Sequence, residues 1–269
     1  MTRVHASLRQ RHRGYSLIEL LIALAIALFL IAGVLIVDQT MHRTYSDQNA
    51  LAQIEDTERF TMTVLGEVTR GAGYYPDPAQ TSLVAALPQE TTTAPNSAGD
   101  SLTFASGQTI DGVSHSAVVN GATVSSDSIA VRYMTANNDG ISMCDGQSNT
   151  TGGNAVWVNY LYTQDTGGMH YLYCLVQNET ANEWSAPIQL AANVQNMQIW
   201  YGLNTTGSGT SIDTYVPAAD MTATDWALIT SVKILVTFTN PLHSVYKEQG
   251  QKQVLLFTKV IDVMSRTGS

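Results

Sequence analysis

One ionisable residue stands where elementary energetics would not put it. Glu19 follows Leu17 and Ile18 and precedes residues 20–37, an unbroken run of eighteen apolar residues. A carboxylate at the edge of a membrane-length segment is costly and points to a function. The other candidates for chemistry are scattered. His5, His12, His42, His115, His170 and His243 form no HExxH or similar cluster, and no GxSxG elbow, P-loop or GxGxxG fingerprint occurs. Gly207-Ser208-Gly209 lies in a Thr-rich stretch and reads as a loop tip. Asp213, Asp220 and Asp225 could approach one another around calcium, but they lack EF-hand spacing and read equally as solvated loop acids. Tyr160, Tyr162, Tyr171 and Tyr173 read as packing on a sheet face, with a sugar platform as the alternative. Asn149, Asn178 and Asn204 each begin an N-x-T sequon and suggest surface loops. No catalytic set, metal site or cofactor motif emerges, so the expectation is a protein that is not an enzyme.

The two cysteines, Cys144 and Cys174, belong to no CxxC pair, and too few N/S ligands accompany them for zinc. A disulfide closing a loop of about thirty residues is the leading reading, worth roughly 3–4 kcal/mol in the chain-entropy model. Two unrelated free thiols are the alternative. A disulfide requires an oxidising compartment such as a periplasm. The chain's formal charge is −9 over 269 residues, and the first fourteen residues carry Arg3, Arg9, Arg11 and Arg13 without an acid, so the remainder is more acidic still. Such a body lacks the Lys/Arg surplus that general nucleic-acid binding needs.

The element that positions Glu19 is the apolar run. Together with Leu17 and Ile18 it reaches the length that spans hydrocarbon at about 1.5 Å per residue. Arginines before it and Asp38 after it put the N-terminus in the cytoplasm and the bulk of the chain outside. An ordinary cleaved signal would have a shorter apolar core and a small-residue cleavage site after it. A plain signal anchor explains length and charge but not Glu19.

Arg13-Gly14-Tyr15-Ser16-Leu17-Ile18-Glu19-Leu20 resembles the type IV prepilin signature. The resemblance implies cleavage by prepilin peptidase between Gly14 and Tyr15, on the cytoplasmic side, and N-methylation of Tyr15. Tyr15 stands where the family usually has Phe. The new amine at Tyr15 would lie one helical turn before Glu19, and the helix N-terminus favours a carboxylate there. Glu19 is then the assembly carboxylate, paired in a filament with the N-terminal amine of a neighbouring subunit, since an unpaired buried charge is costly.

Beyond the span, Met41, Tyr45, Leu51, Ile54, Met62, Leu65 and Val68 recur at helical spacing between acidic residues, which predicts an amphipathic continuation ending near residues 70–73. Residues 76–100, with Pro76, Pro78, Pro88 and Pro95, read as a linker. The period then changes to two: Ile129, Val131, Tyr133; Val156, Val158, Tyr160, Tyr162; Tyr171, Tyr173, Leu175; Val232, Ile234, Val236, Phe238; and finally residues 254–263. Asp165-Thr166-Gly167-Gly168 predicts a hairpin turn, and Asn137-Asn138-Asp139-Gly140 and residues 205–211 predict loops. The expected fold is α+β, a long N-terminal helix (transmembrane half plus amphipathic half) packed on a mainly antiparallel β-sheet body. The expected division is 1–14 leader, 15–37 span, 38–73 amphipathic helix and 74–269 β-rich body.

The body resembles the PilW-type minor pilins of type IV pili. Arg59-Phe60 through Ala72-Gly73-Tyr74, Ser128 to Tyr133 before Cys144, Tyr173-Cys174-Leu175, Val194 through Tyr201-Gly202, Asp213-Thr214-Tyr215, and Trp226 through Lys233-Ile234 carry that resemblance. Lys233 stands where the family usually has Arg. The resemblance implies a subunit that joins other minor pilins and the major pilin, primes pilus assembly and sits at the tip. Its further partners would be prepilin peptidase, the inner-membrane assembly platform and inner-membrane lipid. Two alternatives keep part of this picture: a GspJ-like minor pseudopilin of type II secretion, and a tip-displayed adhesion module. Twitching motility, surface pili, enzyme secretion and adhesion separate the three.

Overall fold

The computed structural model describes residues 14, 16–119, 122–206, 211–246 and 252–263, with side chains 116, 117, 118, 119, 122, 123, 124, 125, 244 and 245 left aside. The chain divides into two units, Met1–Leu51 and Ala52–Ser269. Helix α1, Leu17–Arg70, contributes to both.

In the first unit, α1 is an exposed helix. It contains no proline, and its threonines beyond the apolar run, Thr40 and Thr44, donate their hydroxyls back to the carbonyls of Ile36 and Thr40 at 2.8 and 2.9 Å. That back-bonding gives each hydroxyl a partner on its own helix, at a small cost to the helix.

The second unit begins with the rest of α1. Ile54, Met62, Leu65 and Val68 are buried, whereas Met41, Tyr45 and Leu51 of the expected stripe are exposed. The core-facing stripe therefore starts at Ile54. The helix ends at Arg70, where Gly73 takes φ 74° and its N–H donates to the Arg132 carbonyl at 2.9 Å. A left-handed glycine just past a helix is the usual stop.

The body is α+β and its described strands all pair antiparallel, in three sheets rather than one. β1 (Glu90–Thr93) and β2 (Ser101–Phe104) form a ribbon. β3 (Ile110–Val119), β4 (Ala122–Thr135), β5 (Ala155–Thr166), β6 (Met169–Asn178) and β7 (Glu183–Trp184) follow in order, with β8 (Ile188–Ala192) also on β6. β9 (Val194–Leu203), β10 (Thr214–Pro217), β11 (Ile229–Thr239) and β12 (Val254–Asp262) make a four-stranded sheet in the order β10-β9-β11-β12. The β5–β6 turn closes at Thr166 opposite Met169, with Gly167 and Gly168 at φ 65° and 80°, the two left-handed positions a two-residue hairpin loop requires.

The six-stranded sheet is buried on both faces. Ile129, Val131, Leu161, Leu172 and Cys174 turn to one core with Leu65 and Val68 of α1 and Met197, Ile199, Ile234 and Val236 of the four-stranded sheet. Ala130, Val158, Tyr160, Tyr162 and Leu175 turn to the other, under Ala94, Leu102 and Phe104 of the ribbon. Two-sided burial is why β5 is apolar along most of its length.

Residues 76–100 are not a linker. They contain helix α2 (Leu83–Ala86), capped by Ser82, whose Oγ accepts from the Ala85 N–H at 3.3 Å, and then β1. Ala86 and Leu87 pack on Val156, so the segment covers the second face of the sheet. Prolines mark its bends, but its apolar residues give it a place in the core.

A buried ion pair lies under the ribbon. Arg132 is fully buried, its Nη2 is 2.6 Å from Glu179 Oε2, and its guanidinium sits 5.3 Å from the Phe104 ring centroid. Arg132 Nε and Nη1 and Glu179 Oε1 have no hydrogen-bond partner. Burial pushes the Glu179 carboxyl above the usual range, opposed by Arg132.

Candidate assembly site

The helix that presents Glu19 starts with a polar cap. Ser16 Oγ accepts from the Ile18 N–H at 3.3 Å, and its carbonyl accepts from Glu19 and Leu20 at 3.0 and 3.2 Å. Ser16 and Glu19 thus have the Ser-x-x-Glu spacing of a capping box, and Glu19 falls in the first turn, where the helix dipole favours an anion. The sequence carries the signal for the Ser16 cap in that spacing alone. Gly14 is exposed, and nothing lies within 4 Å of where a Cβ would stand on it. Tyr15, the proposed methylation site, and the arginines of residues 1–13 lie outside the described residues.

Around this end every large apolar side chain from residue 17 to residue 37 is more than half exposed. So large a contiguous apolar surface has no counterpart on a soluble monomer and marks a membrane or partner contact. The helix is long and apolar enough to cross a membrane. Glu19 is exposed at the start of that surface, so any layer that covers the apolar side chains must also supply a partner for the carboxylate.

The remaining sequence candidates fall in the body. Cys144 and Cys174 are joined by a disulfide, with Cα atoms 6.1 Å apart. It ties the loop between β4 and β5 to β6, and the Cys144 N–H donates to Asn159 Oδ1 at 2.7 Å. Tyr160 and Tyr162 stack at 5.3 Å and Tyr162 on Tyr173 at 5.6 Å, mostly inside the second core. Burial pushes the Tyr162 phenol up to about 12. Lys233 Nζ lies 5.3 Å from the Trp200 ring centroid and 6.0 Å from that of Tyr215. That is a stacked-cation position a guanidinium would also fill.

Two of the three loop acids are bonded to neighbouring threonines. Asp213 accepts from Thr205 and Thr206, and Asp225 from Thr222, which holds both carboxyls below the usual range. No group of three or more His, Cys, Asp or Glu side chains able to hold a metal occurs among the described residues. The surface reading of the sequons fails at two positions. Asn149 is fully buried, donating to the carbonyls of Thr135 and Gly153, and Asn204 is 6 % exposed. Their amides serve the fold, a use that composition alone does not reveal.

Two families match the chain. The prokaryotic N-terminal methylation motif covers residues 9–35, and the Type IV Pilus-assembly protein W family, PilW, covers residues 159–267. No curated protein and no solved structure matches it. The first match falls on the Gly14–Glu19 end and its exposed apolar helix, the second on the β5-to-β12 half of the body. With both on one polypeptide, the chain is similar at its N-terminal end to proteins with the methylation motif and over residues 159–267 to the PilW family, a combination consistent with a PilW-type pilin of type IV pili.

Proposed function

We propose that this protein is a minor pilin that primes type IV pilus assembly. It enters the inner membrane through residues 15–37 with its body in the periplasm. Prepilin peptidase removes residues 1–14, cutting after Gly14, and Tyr15 becomes the methylated N-terminus. The subunit then leaves the bilayer with other minor pilins, the apolar helix exchanging lipid for neighbouring helices, and the small complex starts the filament and stays at its tip. The match to the N-terminal methylation motif over an exposed, membrane-length helix carries this reading. The PilW match directs it to the pilus, and both matches speak for a structural component rather than an enzyme.

The test is deletion of the gene and complementation with the wild-type chain. The expected result is loss of surface pili and twitching with normal secretion of folded enzymes. Intact pili with blocked secretion would assign the chain to a type II secretion machine instead. Intact pili with lost adhesion would leave it a tip-displayed binding module.

A further inference from the structure

The six-stranded sheet splits at one end. β4 and β5 pair from Ile129 opposite Leu161 to Thr135 opposite Ala155, yet β4 begins at Ala122 and β5 continues to Thr166. A cleft of about 470 Å³ lies at this split, bounded by residues 126–128 of β4, residues 162–165 of β5, the β1–β2 turn at Asn96 and Gln195 of β9. That volume accepts a small ligand or a long side chain.

Two oxygens of the lining residues are buried without a hydrogen bond, Asp127 Oδ1 and Gln195 Oε1. Asp127 is 3 % exposed. Its Oδ2 accepts the Ile199 N–H at 2.7 Å, where β9 runs past the end of its pairing with β10. Burial pushes the carboxyl above its usual range, against the Ile199 N–H, the Ser114 hydroxyl and the nearby His115, which together do not offset it. Asp165 adds a second carboxylate, and no Lys or Arg stands among the described lining residues. Asp127 has two neutral donors, and the one imidazole that eases it, His115, is already bonded to Asp100 at 2.5 Å, so the buried carboxylate is short of positive charge.

The chemistry of the occupant follows from this surplus of acceptors. A divalent cation wants six or more oxygen ligands, and no metal-holding cluster exists among the described residues. A sugar brings as many acceptors as donors and no charge. An ammonium or guanidinium group brings only donors and the missing charge. We propose that this cleft binds an organic cation, an alkylammonium or guanidinium group, with Asp127 as its counter-ion and Gln195 as its second acceptor. The net negative charge of the chain draws such a group toward it.

The test uses the full chain in detergent micelles with histidine imidazoles isotopically labelled, since His115 and His170 line the cleft. N-acetyl-arginine amide is titrated against its neutral isostere, N-acetyl-citrulline amide. Saturable shifts at His115 and His170 with arginine only are expected. Asp127→Asn should weaken binding at least about tenfold, because a charge-assisted bond is lost. Gln195→Leu, which leaves the carboxylate in place, should weaken it less and serves if the first variant does not fold. An arginine tripeptide binding more tightly than the amide identifies a protein side chain as the natural source, and equal affinity a free small cation. Equal response to citrulline, or unchanged affinity in the folded variants, overturns the proposal and leaves Asp127 a cap for the β9 edge.

Discussion

Replacing Arg132 by Met removes one half of an ion pair whose other half cannot reach water. Glu179 is 7 % exposed on its side chain and Arg132 fully buried, with 2.6 Å between the charged atoms. Stranding one charge of such a pair costs about 3–5 kcal/mol. In a body of this size each kcal/mol moves the midpoint by about 2–4 °C, so the thermal midpoint should fall by about 6–20 °C. The sign of the pH dependence follows from Glu179. Burial raises its carboxyl and Arg132 opposes that rise, so removing the arginine raises the folded-state value further above the unfolded one. Stability is then fully present below the unfolded value and lost as pH rises through the folded one. The variant's deficit should therefore be largest near neutral pH and shrink below the ordinary glutamate range. The companion variant Arg132→Met/Glu179→Leu should recover most of the loss, because three polar atoms of the native pair are already without partners. Circular dichroism melts of the full chain in detergent, at pH 4 to 8, measure all of this. A deficit under about 1 kcal/mol, or one independent of pH, would refute the reasoning, since a solvent-screened pair gives that result.

Glu19→Ala should insert into membranes normally but enter the pilus fraction poorly, read by immunoblot of sheared filaments; undiminished incorporation would remove its role as the assembly carboxylate. Cys144→Ser/Cys174→Ser should lose about 3–4 kcal/mol in denaturant unfolding, the loop-closure entropy of a bond spanning 30 positions. Asp100 is held below the usual carboxyl range: burial pushes it up, but hydrogen bonds from Tyr160, His115 and Asn96 outweigh that. Its contribution is present above its unfolded value and lost as pH falls through the folded one. Acid titration of Asp100→Asn, followed by tyrosine fluorescence, should accordingly lack part of the wild type's loss of stability below about pH 4.

What was legible in the sequence is what obeys a single period. The helix to Arg70, the β4 to β6 strands, the Gly167-Gly168 hairpin and β11 all announce themselves by spacing. Residues 76–100 misled because prolines and short polar runs look like a connection, whereas Leu87, Thr92 and Ala94 gain their meaning only from the sheet beneath. Arg132 was hidden for a related reason. In an alternating strand an arginine reads as solvent-facing, and only the second layer turns that face inward. Of the candidate assembly site, Gly14 and Glu19 are visible as residue types at fixed spacing. The cleft at the β4–β5 split was invisible, because a loss of pairing partway along two long strands leaves no mark on composition.

The order of the layers along the chain has a kinetic side. The ribbon and α2 that cover the second face of the central sheet come from residues 83–104, and the face they cover comes from residues 130–175. During synthesis the cover therefore emerges before what it covers. β5, with apolar residues facing both ways, meets a waiting neighbour from its own chain as soon as it forms. A strand so arranged spends little time as a template for another molecule, which is the hazard that apolar strands carry while a protein is incompletely made.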